Sequence, residues 1–194
     1  MATTTTIVGS GKYTFEVHED WAKLPEGLEM SAAGVTVDSR DRVYCFNRSA
    51  EHPVLVFDRD GNYLSSWGAG LFAFPHTIRV DASDNLWLVD RDHGQMFQFT
   101  LDGKLLRTIG TRGYRSDTGV DPSEPRSSAY RKVTRGGGPF NLPTDIAVAP
   151  SGEMFVIEHP PACDRVAQLH RARGDGVPLD VVPLTVDPSQ LSRL

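Results

Sequence analysis

Apolar and polar positions alternate in short bursts along this chain, and no stretch keeps the 3.6-residue spacing of an amphipathic helix. The clearest set of bursts runs from Phe74 to Gly110, FPHTIRVDASDNLWLVDRDHGQMFQFTLDGKLLRTIG. Thr77–Val80 alternates, Leu86–Val89 is a continuous apolar run, Gln95–Thr100 alternates again, and Leu105–Ile109 closes the set. The segments between them (DASDN, DRDHG, LDGK) are rich in Asp, Asn and Gly, which favour tight turns. Four strands of about five residues joined this way predict one antiparallel meander. A single meander cannot bury both of its faces, so it predicts neighbours of its own kind.

The neighbours are legible. Gly34–Gly68 has the same order of parts, with Val37 lying 43 residues before Val80, and Gly61 and Gly68 each 42 before Gly103 and Gly110. Pro143–Glu158 repeats the opening half, Val148 standing 68 residues after Val80, and the excess falls in the irregular stretch Thr111–Asn141. A period near 42 carrying four strands is that of a β-propeller blade. The reading is therefore all-β: about three blades, at residues 31–68, 75–110 and 141–182, with an insert loop at 111–140. Residues 31–194 form a partial propeller, half or a truncated part of a six-bladed ring. Residues 1–30 precede it as a polar tail (Met1–Ser10) and one strand, Tyr13–His18, available to close a ring. After Ile157 the pattern decays: Arg165–His170 and Val177–Val182 read as strands, three prolines interrupt them, and no closing Trp-Gly or Ile-Gly follows. Three blades do not close a ring. A pair of chains completing one propeller, a piece of a longer protein, and an open fan all stay open.

Composition narrows the function. The 194 residues carry a net charge of −5, which argues against a general nucleic-acid surface. The one basic cluster, Tyr130–Gly136, lies in the insert and reads as a solvated loop. No run of 18 apolar residues and no signal-peptide core is seen, so the expectation is a cytoplasmic chain without a membrane span. Cys45 and Cys163 fall in different blades and read as free thiols rather than a disulfide framework. Asp38, Asp58, Asp81, Asp90 and Asp102 recur at turns, where carboxylates cap their own backbone. His93 reads as a structural turn residue, and His18, His52 and His170 have no partners at ligand spacing. Gly136–Gly138 opens no helix, so it is not a phosphate loop, and no GxSxG nucleophile motif is present.

Three segments carry a family resemblance: Phe46–Arg48 (FNR) after a VY strand, FPHTIRVD at Phe74–Asp81, and PFNLPTDIAVAPSGEMFV at Pro139–Val156. They resemble NHL-repeat propellers and, more narrowly, the six-bladed peptidyl-α-hydroxyglycine α-amidating lyases, over about Gly34–Val156. The resemblance implies a metal-dependent lyase that cleaves the C–N bond of a hydroxyglycine amide to an amide and glyoxylate. It also implies zinc in the central channel on three histidines from different blades, with calcium nearby. On this resemblance His76 matches the first zinc ligand, and Arg48 the arginine that holds the substrate carboxylate. Neutral imidazole suits zinc, and a planar guanidinium suits a carboxylate. The other two histidines would come from later blades. Where the family has Asp-Gly followed by a tyrosine, this chain reads Glu158-His159-Pro160; His159 is a weak substitute ligand. Two functions follow. One is a zinc lyase acting on a peptide or small molecule, complete only in a full ring. The other is a non-catalytic propeller that binds a protein or ligand through one face or the 111–140 loop.

Overall fold

The computed structural model describes residues 6–114, 121, 123–125, 140, 142–158, 166–172 and 178–185, with 158 and the last two ranges as backbone only. All regular structure in them is strand. A hairpin of β1 (Thr6–Ser10) and β2 (Tyr13–Val17) comes first, followed by three four-stranded antiparallel sheets. Blade one is β3 (Ala32–Val37), β4 (Val43–Asn47), β5 (Val54–Phe57) and β6 (Tyr63–Trp67). Blade two is β7 (Pro75–Val80), β8 (Asn85–Asp90), β9 (Gln95–Thr100) and β10 (Leu105–Ile109). Blade three is β11 (Pro143–Val148), β12 (Met154–Glu158), β13 (Val166–Ala172) and β14 (Pro178–Thr185). Within each blade the strands pair in chain order, as a propeller meander requires.

One expectation shifts. Thr6–Ser10 is not a tail but the partner of Tyr13–Val17, and this hairpin pairs with no blade among the described residues. Val166–Ala172 and Pro178–Thr185 complete blade three despite the prolines. Pro183 falls in β14, an edge strand, the part of a sheet where proline is tolerated. Most of the expected insert loop lies outside the described residues.

The blades pack face to face through two apolar layers. Tyr44, Phe46, Val54 and Val56 of blade one meet Ile78, Leu86, Leu88 and Phe99 of blade two. Trp87, Val89, Met96 and Ile109 of blade two meet Ile146, Met154 and Val156 of blade three, with Phe140. Strand β7 lies against both β3 and β11, so the first strand of each blade is the innermost. Polar links cross the same seams: Arg79 donates to both carboxylate oxygens of Asp145 (3.2 and 2.8 Å), and Ser39 donates to Asp84.

The turn chemistry repeats with the blades. Asp38 accepts from the backbone N–H of Arg40 and Arg42, from Arg42 Nε (2.7 Å) and from the Tyr44 hydroxyl (3.1 Å). Asp81 does the same one blade on, accepting from Ser83 and Asn85 backbone N–H, from Trp87 Nε1 (2.9 Å) and from Gln98. Burial works to raise both carboxyls, but the surrounding donors prevail and hold each below the ordinary carboxylate range. Burial, followed by the Asp38 charge, pushes the Tyr44 hydroxyl well above its ordinary value, so it stays a donor. Blade three has Ala149 and Phe155 at these positions: acceptor and donor are lost together, and no polar group is orphaned.

Candidate ligand site at the inner-strand end of the blades

Each inner strand begins with a register break. The shift falls between Ala32 and Gly34 in β3, between Pro75 and Thr77 in β7, and between Pro143 and Asp145 in β11. The residues at the bulge are Ala33, His76 and Thr144, so the 43- and 68-residue spacings place His76 at the one bulged position with an ionisable side chain among the three described blades. A bulge re-aims the side chain it carries, and bulges recur beside active sites. The imidazole of His76 is half-buried, with Nδ1 2.8 Å from the backbone carbonyl oxygen of Thr144, its counterpart in the next blade. A carbonyl only accepts, so Nδ1 carries a proton, and in the neutral ring Nε2 then holds the lone pair. That tautomer, with the other N–H on a backbone carbonyl, suits a metal-ligating or proton-accepting Nε2.

At the same end, buried Asn47 and Asp90 close the second strand of blades one and two and tie down the chain entering each blade. Asn47 Oδ1 accepts from Ser31 N–H (2.6 Å), while its amide donates to the carbonyls of Glu29 and His52. Asp90, fully buried, accepts from the N–H groups of Ala73 (2.7 Å) and Phe74 (3.0 Å). His93 Nδ1 lies 2.8 Å from the Asp90 carboxylate, too poorly aligned for a hydrogen bond, while the His93 backbone N–H donates to Asp90 (3.3 Å).

The next residue in each of these two blades is an arginine. Arg48 N–H donates to Ser31 O (3.0 Å) and Arg91 N–H to Phe74 O (3.1 Å), the same bond one repeat apart. Both guanidiniums rest on the Phe74 ring, at 4.6 Å for Arg48 and 3.8 Å for Arg91. Arg91 Nε also donates to Asp92 (2.9 Å), whereas Arg48 is exposed. Cation–π contacts of this kind attract a guanidinium to the ring face by about 0.5–1 kcal/mol at exposed sites. The arrangement thus places two cations on one ring, two residues before His76, and suits a ligand carrying a carboxylate. Arg91 was missed from the sequence, although shifting Arg48 by the 43-residue period lands on it.

The zinc expectation fits this site in part. Among the described residues no three His, Cys, Asp or Glu side chains come together to hold a metal ion. His76 has the tautomer of a ligand, but a catalytic zinc takes three, and Ala33 and Thr144 supply none. His159 lies outside the described residues. His52 is committed to Ser66 Oγ (2.8 Å), and exposed His18 sits 3.9 Å from Glu16. Cys45 is buried and free, its thiol pushed up by burial to about 11, so it is an inert packing group.

Among curated proteins, two Drosophila melanogaster relatives are similar to this chain. Peptidyl-alpha-hydroxyglycine alpha-amidating lyase 2 is 32% identical over 110 residues, covering 56% of this chain and 23% of that protein. Peptidyl-alpha-hydroxyglycine alpha-amidating lyase 1 is 33% identical over 101 residues, covering 50% and 15%. The fold is a β-propeller's, and the sequence resembles the amidating lyases. The chain spans less than a quarter of either relative's length. Among solved structures, a streptogramin B lyase superposes with a TM-score of 0.52 at 11% identity, over 82% of this chain and 43% of that one. A chain of a nidogen/laminin complex gives 0.53 at 15% identity, over 82% and 49%. At those identities the likeness is one of fold. No protein-family model matches the chain. Among the described residues, no helix is long and apolar enough to cross a membrane.

Proposed function

We propose that these blades are part of an amidating-lyase-type propeller, in which the inner-strand end receives a peptide or small molecule bearing a carboxylate. Arg48 holds that carboxylate as a bidentate donor, with Arg91 adding charge through the shared Phe74 ring. His76 contributes one imidazole toward zinc through Nε2, its Nδ1–H held by the Thr144 carbonyl. The observation that carries the reading is the bulged His76 with this carbonyl partner. Zinc, once bound with further ligands from elsewhere in a complete ring, would supply a Lewis acid for cleaving a hydroxyglycine C–N bond. The described blades provide positioning and one ligand, so a lone set of three blades is expected to be inactive.

The test is metal content of the purified protein after zinc loading and desalting, compared with His76→Ala, together with glyoxylate release from a hydroxyglycine peptide. Bound zinc that His76→Ala removes, with the fold intact by circular dichroism, supports the reading. A folded protein whose ring is complete and which still retains no zinc sinks it. A second reading, a non-catalytic binding propeller, is favoured by Ala33 and Thr144 at the other bulges and by Glu158-His159-Pro160 where the family has Asp-Gly and a tyrosine. Under that reading Arg48→Ala weakens binding of a carboxylate ligand roughly tenfold or more, and no metal is needed.

A further inference from the structure

The two ends of the blade stack carry the two halves of the seam that joins the blades to each other. On its entry face each inner strand presents an apolar pair: Ile78 and Val80 in blade two, Ile146 and Val148 in blade three, Val35 and Val37 in blade one. Ile78 and Ile146 are 1% and 2% exposed, because Tyr44/Phe46 and Trp87/Val89 of the preceding blade lie on them. Val35 and Val37 are 61% and 51% exposed. On the exit side, Phe155 and Ile157 of blade three occupy the positions of Tyr44/Phe46 and Trp87/Val89, and Ile157 is 37% exposed.

The outer half of the blade-one entry face is already covered in the manner of a seam. Trp21 lies on Phe57 (centroids 5.7 Å, 53° between planes) as Trp67 of blade one lies on Phe99 of blade two (5.1 Å, 51°). Both tryptophans press on the glycine of the following blade's third turn, Trp21 through its carbonyl and indole on Gly61 and Trp67 through its indole on Gly103, and neither glycine has room for a Cβ. With Leu24 and Leu28, Trp21 shields Cys45, Leu55 and Phe57. Only the inner half stays open, and its two valines have the spacing that the β4 and β8 side chains meet in the existing seams.

We propose that a second copy of this chain docks there: β11–β12 of one copy place Phe155 and Ile157 on Val35 and Val37 of the other, and the reciprocal contact closes the pair. The interface is head-to-tail, repeats the two seams already within the chain, and yields a closed ring of six blades, within the range propellers adopt. It brings two copies each of His76, Arg48 and Arg91 to one channel mouth, but it holds equally for a non-catalytic ring, so its fate is separate from that of the lyase reading.

The experiment is light scattering on a sizing column with the full chain at micromolar concentration. The expected mass is twice the 21.3 kDa of one chain. V35D/V37D and I157D are each expected to run as folded monomers, since each blocks one half of the seam. Mixed together they regain a dimer, because one intact seam forms between the open exit face of the first and the open entry face of the second. A wild-type monomer overturns the proposal, as does a dimer that survives V35D/V37D. Failure of the mixture to pair, with both variants folded, would mean a symmetric contact rather than a head-to-tail one and would overturn it too.

Discussion

Strand β3 and strand β7 are near copies in sequence, VTVD against IRVD, yet one is open and the other is sealed. Ile78 is 1% exposed and Val35 61%, and the whole difference lies in what stands in front of them. An inner strand of this kind does not earn stability from its own sheet; it does so from the neighbouring blade's aromatic layer. The comparison also separates the two halves of a blade face. The outer half of blade one is covered by the non-repetitive segment at Trp21, while the inner half is left to a neighbouring blade.

The largest effect should come from breaking the sealed side. Ile78→Ala removes a buried side chain between two rigid sheets and is expected to cost about 2–5 kcal/mol in chemical denaturation, whereas Val35→Ala in the separated chain should change stability by less than about 0.5 kcal/mol. Equal losses at the two sites would mean that the faces do not differ as described. Next is Asp81→Ala, which strips the acceptor from Trp87 Nε1 and two backbone N–H groups; about 3 kcal/mol is expected from the orphaned donors. Its pH dependence has a definite sign. Asp38 and Asp81 are held below the ordinary range when folded, so the unfolded chain binds protons first. The stability they add is complete above about pH 4 and is lost as pH falls through the depressed folded values. Asp81→Ala should therefore flatten the acid limb of a denaturation midpoint plotted against pH; an unchanged limb would show that the carboxylate is not engaged.

Gly103→Ala tests the seam from the turn side. With φ at +82° and a Cβ only 2.9 Å from Trp67, the substitution is expected to cost about 1–3 kcal/mol. Tryptophan emission should shift if the indole is displaced. The smallest effect belongs to Arg79→Ala. Its pair with Asp145 spans two blades with good geometry, but both groups are partly solvated, so about 0.5 kcal/mol, weakened by salt, is the expectation. A loss several times larger would place the seam's strength in charge rather than in apolar contact.

Much of this architecture was legible in the chain. The alternation and the 42–43-residue spacing located the strands of blades one and two and the opening half of blade three, because strand pairing within a meander is local and needs only turns at the right places; β13 and β14 were read from their own segments, Arg165–His170 and Val177–Val182, behind the prolines. The pairing of Arg48 with Arg91 was also available from the same spacing, but it required reading the period as a statement about side chains rather than about strands. What the spacing could not convey is which residue of each inner strand is bulged. That depends on a two-against-one register with the second strand, and it is what singles out His76 and puts its Nδ1 on Thr144.

Sequence alone determined the strand order, the blade period and the turn carboxylates, since each of these arises from contacts a few residues apart or from patterns that repeat along the chain. Tertiary structure decided the rest. Phe74 gathers two arginines only because successive blades stand side by side, and Trp21 acts as the tryptophan of a preceding blade only because blade one leaves that place open. Val35 and Val37 look like core residues in the sequence. Their exposure is a property of the face they occupy, which no local pattern encodes.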